Sequence, residues 1–322
     1  MIQRHPCEPL PLQFPVRKFT DQAVEALLGN LDPKGPAGMV LGASGGIDSL
    51  ATAALCVRAE KRRRGLRVVG LQMNDRRVRG ETYNSGLYEY LGVRLVSMDL
   101  TSRARAREQE LGLPPRWVAA GLMKAILRYT PKLLKRRIIL AMAGHRAPEW
   151  ALRYYTCLTV PHTLRMEQLK AYAKAHDLLP VLCTNRTERR LGFFVEGGID
   201  DTRTGDAAPL SSLYKTQVNQ EARFLELPSS VIKQPPSPGF GGVRDVDILG
   251  PYPVIDLVLQ SLERGDADRD ALAHVLSGLR TCARGKHSLP RVRLRDIRFV
   301  GGLLRRAQRK TPRSASEARP FS

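Results

Sequence analysis

An apolar run, Gly38 to Ala43, leads into the hexapeptide Ser44-Gly45-Gly46-Ile47-Asp48-Ser49, and a helix-forming run from about Leu50 to Arg62 follows. Two adjacent glycines let backbone N–H groups turn inward around an anion, and the amino end of the following helix adds partial positive charge. Ser44 and Ser49 supply hydroxyl donors. No lysine stands directly after the glycines, which excludes the phosphate loop that presents a γ-phosphate for transfer. Asp48 inside an anion cradle repels phosphate unless a divalent cation lies between them, so a carboxylate there calls for Mg²⁺. The chemistry these residues suit is the metal-assisted binding of phosphate groups.

The elements that must position this loop alternate strand and helix. Strands are expected at Gly38 to Ala43, Leu66 to Met73, Val93 to Leu100 and Leu179 to Cys183. Helices are expected at Asp21 to Asn30 (capped by Thr20 or Asp21), Leu50 to Arg62, Thr82 to Leu91 and Thr163 to His176. This pattern predicts an α/β fold, a doubly wound, mostly parallel sheet flanked by helices. From Thr101 to Trp150 the pattern changes. No acidic residue lies between Glu110 and Glu149, apolar residues recur at helical spacing, and Pro131 interrupts them, which reads as two basic amphipathic helices. Residues 234 to 243 (QPPSPGFGGV) read as a lid, and 247–264 and 266–280 as two closing helices. The domain plan is an irregular arm over 1–16, a single domain over 17–304 with a basic helical insertion at about 103–155, and a basic disordered tail over 305–322.

The loop, as Ser-Gly-Gly-x-Asp-Ser after an apolar strand, resembles that of the PP-loop ATP pyrophosphatases, whose fold is adenine nucleotide α-hydrolase-like. That resemblance implies ATP as substrate, adenylation of a carboxyl or carbonyl oxygen, and release of pyrophosphate. Four further segments occur in the order of one branch, the ammonia-dependent NAD synthetases. They are Cys183-Thr184-Asn185-Arg186-Thr187-Glu188 running on to Gly192-Phe193-Phe194, then Asp206-Ala207-Ala208-Pro209-Leu210-Ser211-Ser212-Leu213-Tyr214-Lys215-Thr216-Gln217-Val218. Leu227-Pro228 through Ser237 and Asp245 to Gly250 followed by Tyr252 complete the set. The chain is identified as a divergent member of this family, which implies an amide-forming ligase acting on deamido-NAD with ammonia. By the same resemblance Asp48 and Glu188 hold Mg²⁺, and Lys215 sits on the leaving phosphates. ATP is bound by Ser44, Gly45, Gly46, Asp48, Ser49, Met73, Arg165, Thr184, Lys215 and the lid residue Ser237. Phe193, Glu196 and Asp206 lie at the acyl substrate, Asp206 orienting or deprotonating ammonia. A homodimer with the acyl site near the subunit interface is also implied.

The sequence departs from the family around the acyl substrate. Thr159-Val160-Pro161-His162-Thr163 replaces the family's Asn-x-x-Ala-Arg, and Glu196 falls where the family has a lysine, in a tract that is longer here. The basic insertion has no counterpart in compact bacterial members. Another carboxylate therefore stands as an alternative substrate.

With 52 Lys and Arg against 31 Asp and Glu, the chain carries a formal +21, a field that attracts polyanions. A tRNA-modifying or sulfur-transfer enzyme is a second reading, but the five cysteines are scattered and none are paired as CxxC. Cys183, the one thiol beside the expected site, reads as a small strand residue. A degenerate nucleotide-binding module is a third reading, opposed by retention of Asp48, Glu188 and Lys215. No apolar stretch reaches transmembrane length or forms a secretory leader, which points to the cytoplasm. Neither a nitrilase-type glutaminase domain nor an amino-terminal cysteine nucleophile is recognisable, so ammonia is expected to come free or from a separate glutaminase.

Overall fold

The computed structural model describes residues 14–31, 35–77, 85–131, 134, 137–138, 141, 147–192, 195, 197–199, 201, 207–234, 245, 249–263 and 299–303. Among the described residues four parallel strands form one sheet: β1 (Gly38–Gly42), β2 (Arg67–Asn74), β3 (Arg94–Asp99) and β4 (Leu179–Val181), in the order β3-β2-β1-β4. β1 pairs with β2 from Gly38 opposite Arg67 to Gly42 opposite Leu71, and with β4 from Met39 opposite Leu179. Gly38 has to be glycine, because a Cβ there would stand 2.2 Å from the Arg67 carbonyl oxygen.

Alternation along β1 sorts the core into two layers. Met39 and Leu41 face α1 (Val16–Gly29), α2 (Ile47–Arg62) and α8 (Lys215–Phe224), packing with Leu27, Leu55 and Val218. Val40 faces the opposite layer with Val69, Leu71 and Met73 of β2. Ala104 of α4 (Thr101–Glu110) and Val160, Leu164 and Leu169 of α6 (Glu149–His176) close that side. Helices on both faces of a parallel sheet are the expected doubly wound arrangement. Further helices among the described residues are α3 (Ser85–Tyr90), α5 (Arg116–Tyr129), α7 (Arg186–Leu191), α9 (Ser229–Ile232) and α10 (Tyr252–Glu263). α5 packs on α6 through Ala119, Cys157 and Leu158.

Three expectations need correction. α1 starts at Val16 behind Pro15, not at Asp21, and Thr20 lies inside it as a buried residue. There Thr20 Oγ1 donates to the Glu221 carboxylate of α8 at 2.8 Å. α6 runs 28 residues from Glu149 straight through Pro161, where a start at Thr163 was expected. Finally, the first closing helix begins at Tyr252. The arm before Phe14, most of the second basic helix, lid residues 235–243, the helix expected over 266–280 and the basic tail lie outside the described residues. Among the described residues no helix is long and apolar enough to cross a membrane.

Candidate active site

The loop leaves the carboxyl end of β1 and enters α2. Gly46 caps the helix in extended conformation, and Asp48 falls in its first turn, where a carboxylate meets the positive end of the helix. Gly45 takes φ +77°, which a side chain would strain. Its N–H does not point into open space: it donates at 3.1 Å to the hydroxyl of Tyr88, a buried side chain of α3. That hydroxyl is 2.8 Å from Ser49 Oγ, which lies 2.9 Å from Ser44 Oγ and donates to the Gly46 carbonyl at 2.9 Å. The Gly46 N–H reaches Ser44 Oγ at 3.3 Å. Tyr88 therefore props the loop from behind. Burial above all pushes its phenol pKa up, against the bonds from Ser49 and Gly45, so the hydroxyl keeps its proton.

From β4 the chain passes through Thr184, which is buried, to Asn185 at the start of α7. Asn185 Oδ1 accepts from the Glu188 N–H at 3.0 Å, while Glu188 Oε2 accepts from the Asn185 N–H at 3.4 Å. This reciprocal cap fixes Glu188 in place. The Asn185 side-chain amide turns the other way and donates to Asp48 Oδ1 at 3.0 Å. One residue thus ties the loop helix to the Glu188 helix.

Lys215 opens α8. Its backbone N–H donates to Thr187 Oγ1 at 2.9 Å, Thr187 donates to Asp256 Oδ1 at 2.5 Å, and the Thr216 N–H donates to Asp256 Oδ2 at 2.8 Å. Asp256 of α10 is fully buried, and burial lifts its carboxyl to about 6 against those donors. The Lys215 ammonium is 4% exposed, forms an ion pair with Asp48 Oδ2 and lies 3.6 Å from Glu188 Oε1. It also sits 5.6 Å from the centre of the Tyr252 ring, whose hydroxyl donates to Asp245 at 2.6 Å. Burial pulls the ammonium pKa down, but Asp48 and Glu188 outweigh it and the net shift is upward. Lys215 stays charged.

Asp48, Glu188 and Lys215, far apart in sequence, meet at the carboxyl ends of β1 and β4. Asp48 and Glu188 remain 19% and 17% exposed, so both can reach a ligand. No group of three or more His, Cys, Asp or Glu gathers among the described residues. Two carboxylates beside a phosphate loop suit Mg²⁺, which is held through one or two carboxylates, water and substrate phosphates rather than a protein cage. Arg165 donates its Nε–H to the Met73 carbonyl at 3.3 Å, so these two expected residues meet at the end of β2. Cys183 is half-buried with Sγ 4.0 Å from the Gly42 carbonyl oxygen. Phe193, Glu196, Asp206 and Ser237 lie outside the described residues.

The sequence reading missed Tyr88, Asn185 and Asp256. For Asn185 a signal existed, since Asn followed three residues later by Glu is the spacing of a reciprocal helix cap. Tyr88 and Asp256 come from distant segments and carry no local signal. Glu263 is a further anchor: it pairs with Arg186 at 2.6 Å and with Arg190, and it accepts from the Tyr214 hydroxyl. It thereby binds α7 and the start of α8 to α10.

A family model for NAD synthase matches residues 20–156 and 160–281. The NH(3)-dependent NAD(+) synthetase of Coprothermobacter proteolyticus is 33% identical over 250 residues, covering 72% of this chain and 80% of the relative. That of Thermotoga neapolitana is 29% identical over 234 residues, covering 71% and 79%. Among solved structures, an NMN synthetase from Francisella tularensis superposes with a TM-score of 0.60 at 20% identity, covering 94% of this chain and 100% of its own; at that identity the likeness is one of fold.

Proposed function

The chain belongs to the NAD synthase family, and from that premise we propose that it is an ATP-dependent ligase that amidates deamido-NAD with ammonia. The observation that carries this reading is the meeting of Asp48, Glu188 and Lys215 beside the glycine loop. In the first step the nicotinate carboxylate attacks the α-phosphorus of ATP and pyrophosphate leaves. In the second, ammonia attacks the acyl-adenylate carbonyl, and AMP departs with formation of the amide.

Asp48 and Glu188 would hold Mg²⁺, which supplies neutralising charge on the phosphates when bound. Lys215 is held ready by these same carboxylates. Its ammonium is the buried cation that would neutralise the departing pyrophosphate, where such a charge counts most. Its backbone anchors, Thr187 and Asp256, keep the amino end of α8 still. Ser44, Gly46, Ser49 and Thr184 line the phosphate and nucleoside positions, with Tyr88 setting the loop's shape. Met73 of β2 and Arg165 of α6 border the nucleotide, and the family resemblance assigns Ser237 to it as well. Phe193, Glu196 and Asp206 serve the acyl side, and Asp206 receives the ammonium proton. The enzyme works as a homodimer in the cytoplasm, with ammonia taken free or from a separate glutaminase.

The test is direct. Purified protein with ATP, Mg²⁺, ammonium and deamido-NAD should give AMP, pyrophosphate and NAD in equal amounts by mass spectrometry. AMP and pyrophosphate formed only with a different carboxylate would retain the adenylation and overturn the substrate. Release of sulfur or modified tRNA in place of NAD would overturn the amidation.

A further inference from the structure

A second cluster of charge lies at the carboxyl end of β2, beside the strand that leads into the glycine loop. Asp75, the residue after β2, is buried, and Arg77 folds back onto it. Arg77 donates from Nε to Asp75 Oδ1 at 2.9 Å and from NH2 to Oδ2 at 2.7 Å. The same guanidinium donates to both oxygens of Glu108 of α4, at 2.7 and 3.0 Å. Both carboxylates are thus held by a single fork.

Arg116, the first residue of α5, is in a different position. Its side chain is only 11% exposed, yet among the described residues it makes one contact, 3.4 Å from NH1 to Asp75 Oδ2, an oxygen already bonded to Arg77. A guanidinium has five N–H donors, and a charge drawn this far from water needs more than one long bond. Burial pulls its pKa down; Asp75 and Glu108 oppose that shift, while Arg77 and Arg165 add to it. Arg165 comes to the same strand end from α6, with Nε on the Met73 carbonyl. The amino end of α5, with no acid in its first turn, adds partial positive charge beside Arg116.

In an open parallel sheet, ligands lie outside the carboxyl ends of the strands. β2 pairs with β1, so the strand end that carries the cluster neighbours the strand that leads into the glycine loop. We propose that Arg116, with Arg165 beside it, binds a phosphate or diphosphate group of a reactant, and that the buried Asp75–Arg77–Glu108 fork is its scaffold. Arg116 belongs to the basic insertion, so the insertion reaches into the reaction site. The ligand is either the polyphosphate of ATP or the diphosphate of the acyl substrate. The second source rests on the function proposed above.

Two calorimetric titrations on the full chain separate the sources without requiring turnover. One adds α,β-methylene-ATP; the other adds inorganic diphosphate to protein already saturated with that analogue. Arg116→Gln is compared with the unchanged protein, and Arg116→Lys is the charge-retaining control. Loss of about tenfold or more in the first titration assigns the cluster to ATP, and the same loss confined to the second assigns it to the acyl substrate's phosphates. Arg116→Lys should recover part of the loss, a response that simple loosening of α5 would not give. Equal affinities for Arg116→Gln and the unchanged protein in both titrations overturn the proposal. A chain that binds these anions but forms no NAD would overturn the function while leaving the cluster's role standing.

Discussion

At the residue scale the site is a small electrostatic device in which one buried cation serves two carboxylates. The Lys215 ammonium lies between Asp48 and Glu188, so neither carboxylate is left uncompensated. Asp48→Asn keeps the acceptor for the Asn185 amide but removes one of the two negative charges proposed to hold Mg²⁺. Pyrophosphate release should fall by about 10²- to 10³-fold, by analogy with loss of one strong transition-state contact. A phosphate-release assay coupled to pyrophosphatase measures it, and retention of half the activity would sink the metal role. Tyr88 makes a different prediction, because it touches the loop and not the reactants. Tyr88→Phe leaves Gly45 N–H and Ser49 Oγ without their buried partner, which costs about 1–3 kcal/mol for an unmet buried group. The loop then loses its set shape. KM for ATP should rise several-fold and the melting temperature should drop, measured by steady-state kinetics and calorimetry. An unchanged KM would mean that the loop holds its conformation alone.

At the scale of elements, legibility followed locality. β1 and the loop were readable because apolar run, glycines and helix are contiguous, and the order of the later segments placed Glu188 and Lys215. α6 was read too short, and Pro161, which removes a backbone donor and ordinarily marks a helix boundary, lies inside it. In the folded chain the hydroxyls of Thr156, Thr159 and Thr163 donate to carbonyls of Leu152, Thr156 and Val160, giving local donors to the turns around the proline. The end of α1 facing α8 was misread for a long-range reason: Thr20 looks like a cap, but its partner Glu221 lies 201 residues away. A glutamate is ordinarily exposed, and only the packing of α1 on α8 shows it to be buried. Burial lifts Glu221 to about 7, against the Thr20 bond and Arg58, and its Oε2 finds no donor among the described residues. The sign follows from proton counting. Between about 4.5 and 7 the folded chain holds a proton that the unfolded chain has lost, so this group's contribution falls as pH rises through that window. The change is on the order of 3 kcal/mol. Glu221→Gln, which can still accept from Thr20, should melt higher than the parent at pH 8 and about equally at pH 5. Equal melting temperatures at both pH values would show that Glu221 ionises in the fold without penalty.

At the scale of the whole molecule the charge balance and the reaction fit together. The chain carries +21, and both nucleotide reactants of the proposed reaction are polyanions. On α5 the outward side shows Lys124 and Arg128 between Trp117 at 78% exposure and Tyr129 at 77%, with no acidic residue in the helix. Arg116 at its amino end is turned inward to the carboxyl end of β2. α5 therefore carries positive charge from the surface to the carboxyl end of β2. The field of such charges raises the local concentration of anions and weakens as salt shortens its range, from about 13 Å at 0.05 M to about 6 Å at 0.3 M. KM for ATP and for deamido-NAD should accordingly rise several-fold over that range. The turnover number at saturation should change little, because Asp48, Glu188 and Lys215 are mostly shielded from bulk ions. Arg128→Glu together with Lys124→Glu should reduce the salt dependence of KM while leaving turnover intact. Rates measured across a sodium chloride series decide the matter. A salt-independent KM in the parent chain would mean that the anions are captured by Arg116, Arg165 and the loop at contact range, and that the outer charge of the insertion plays no part in this reaction.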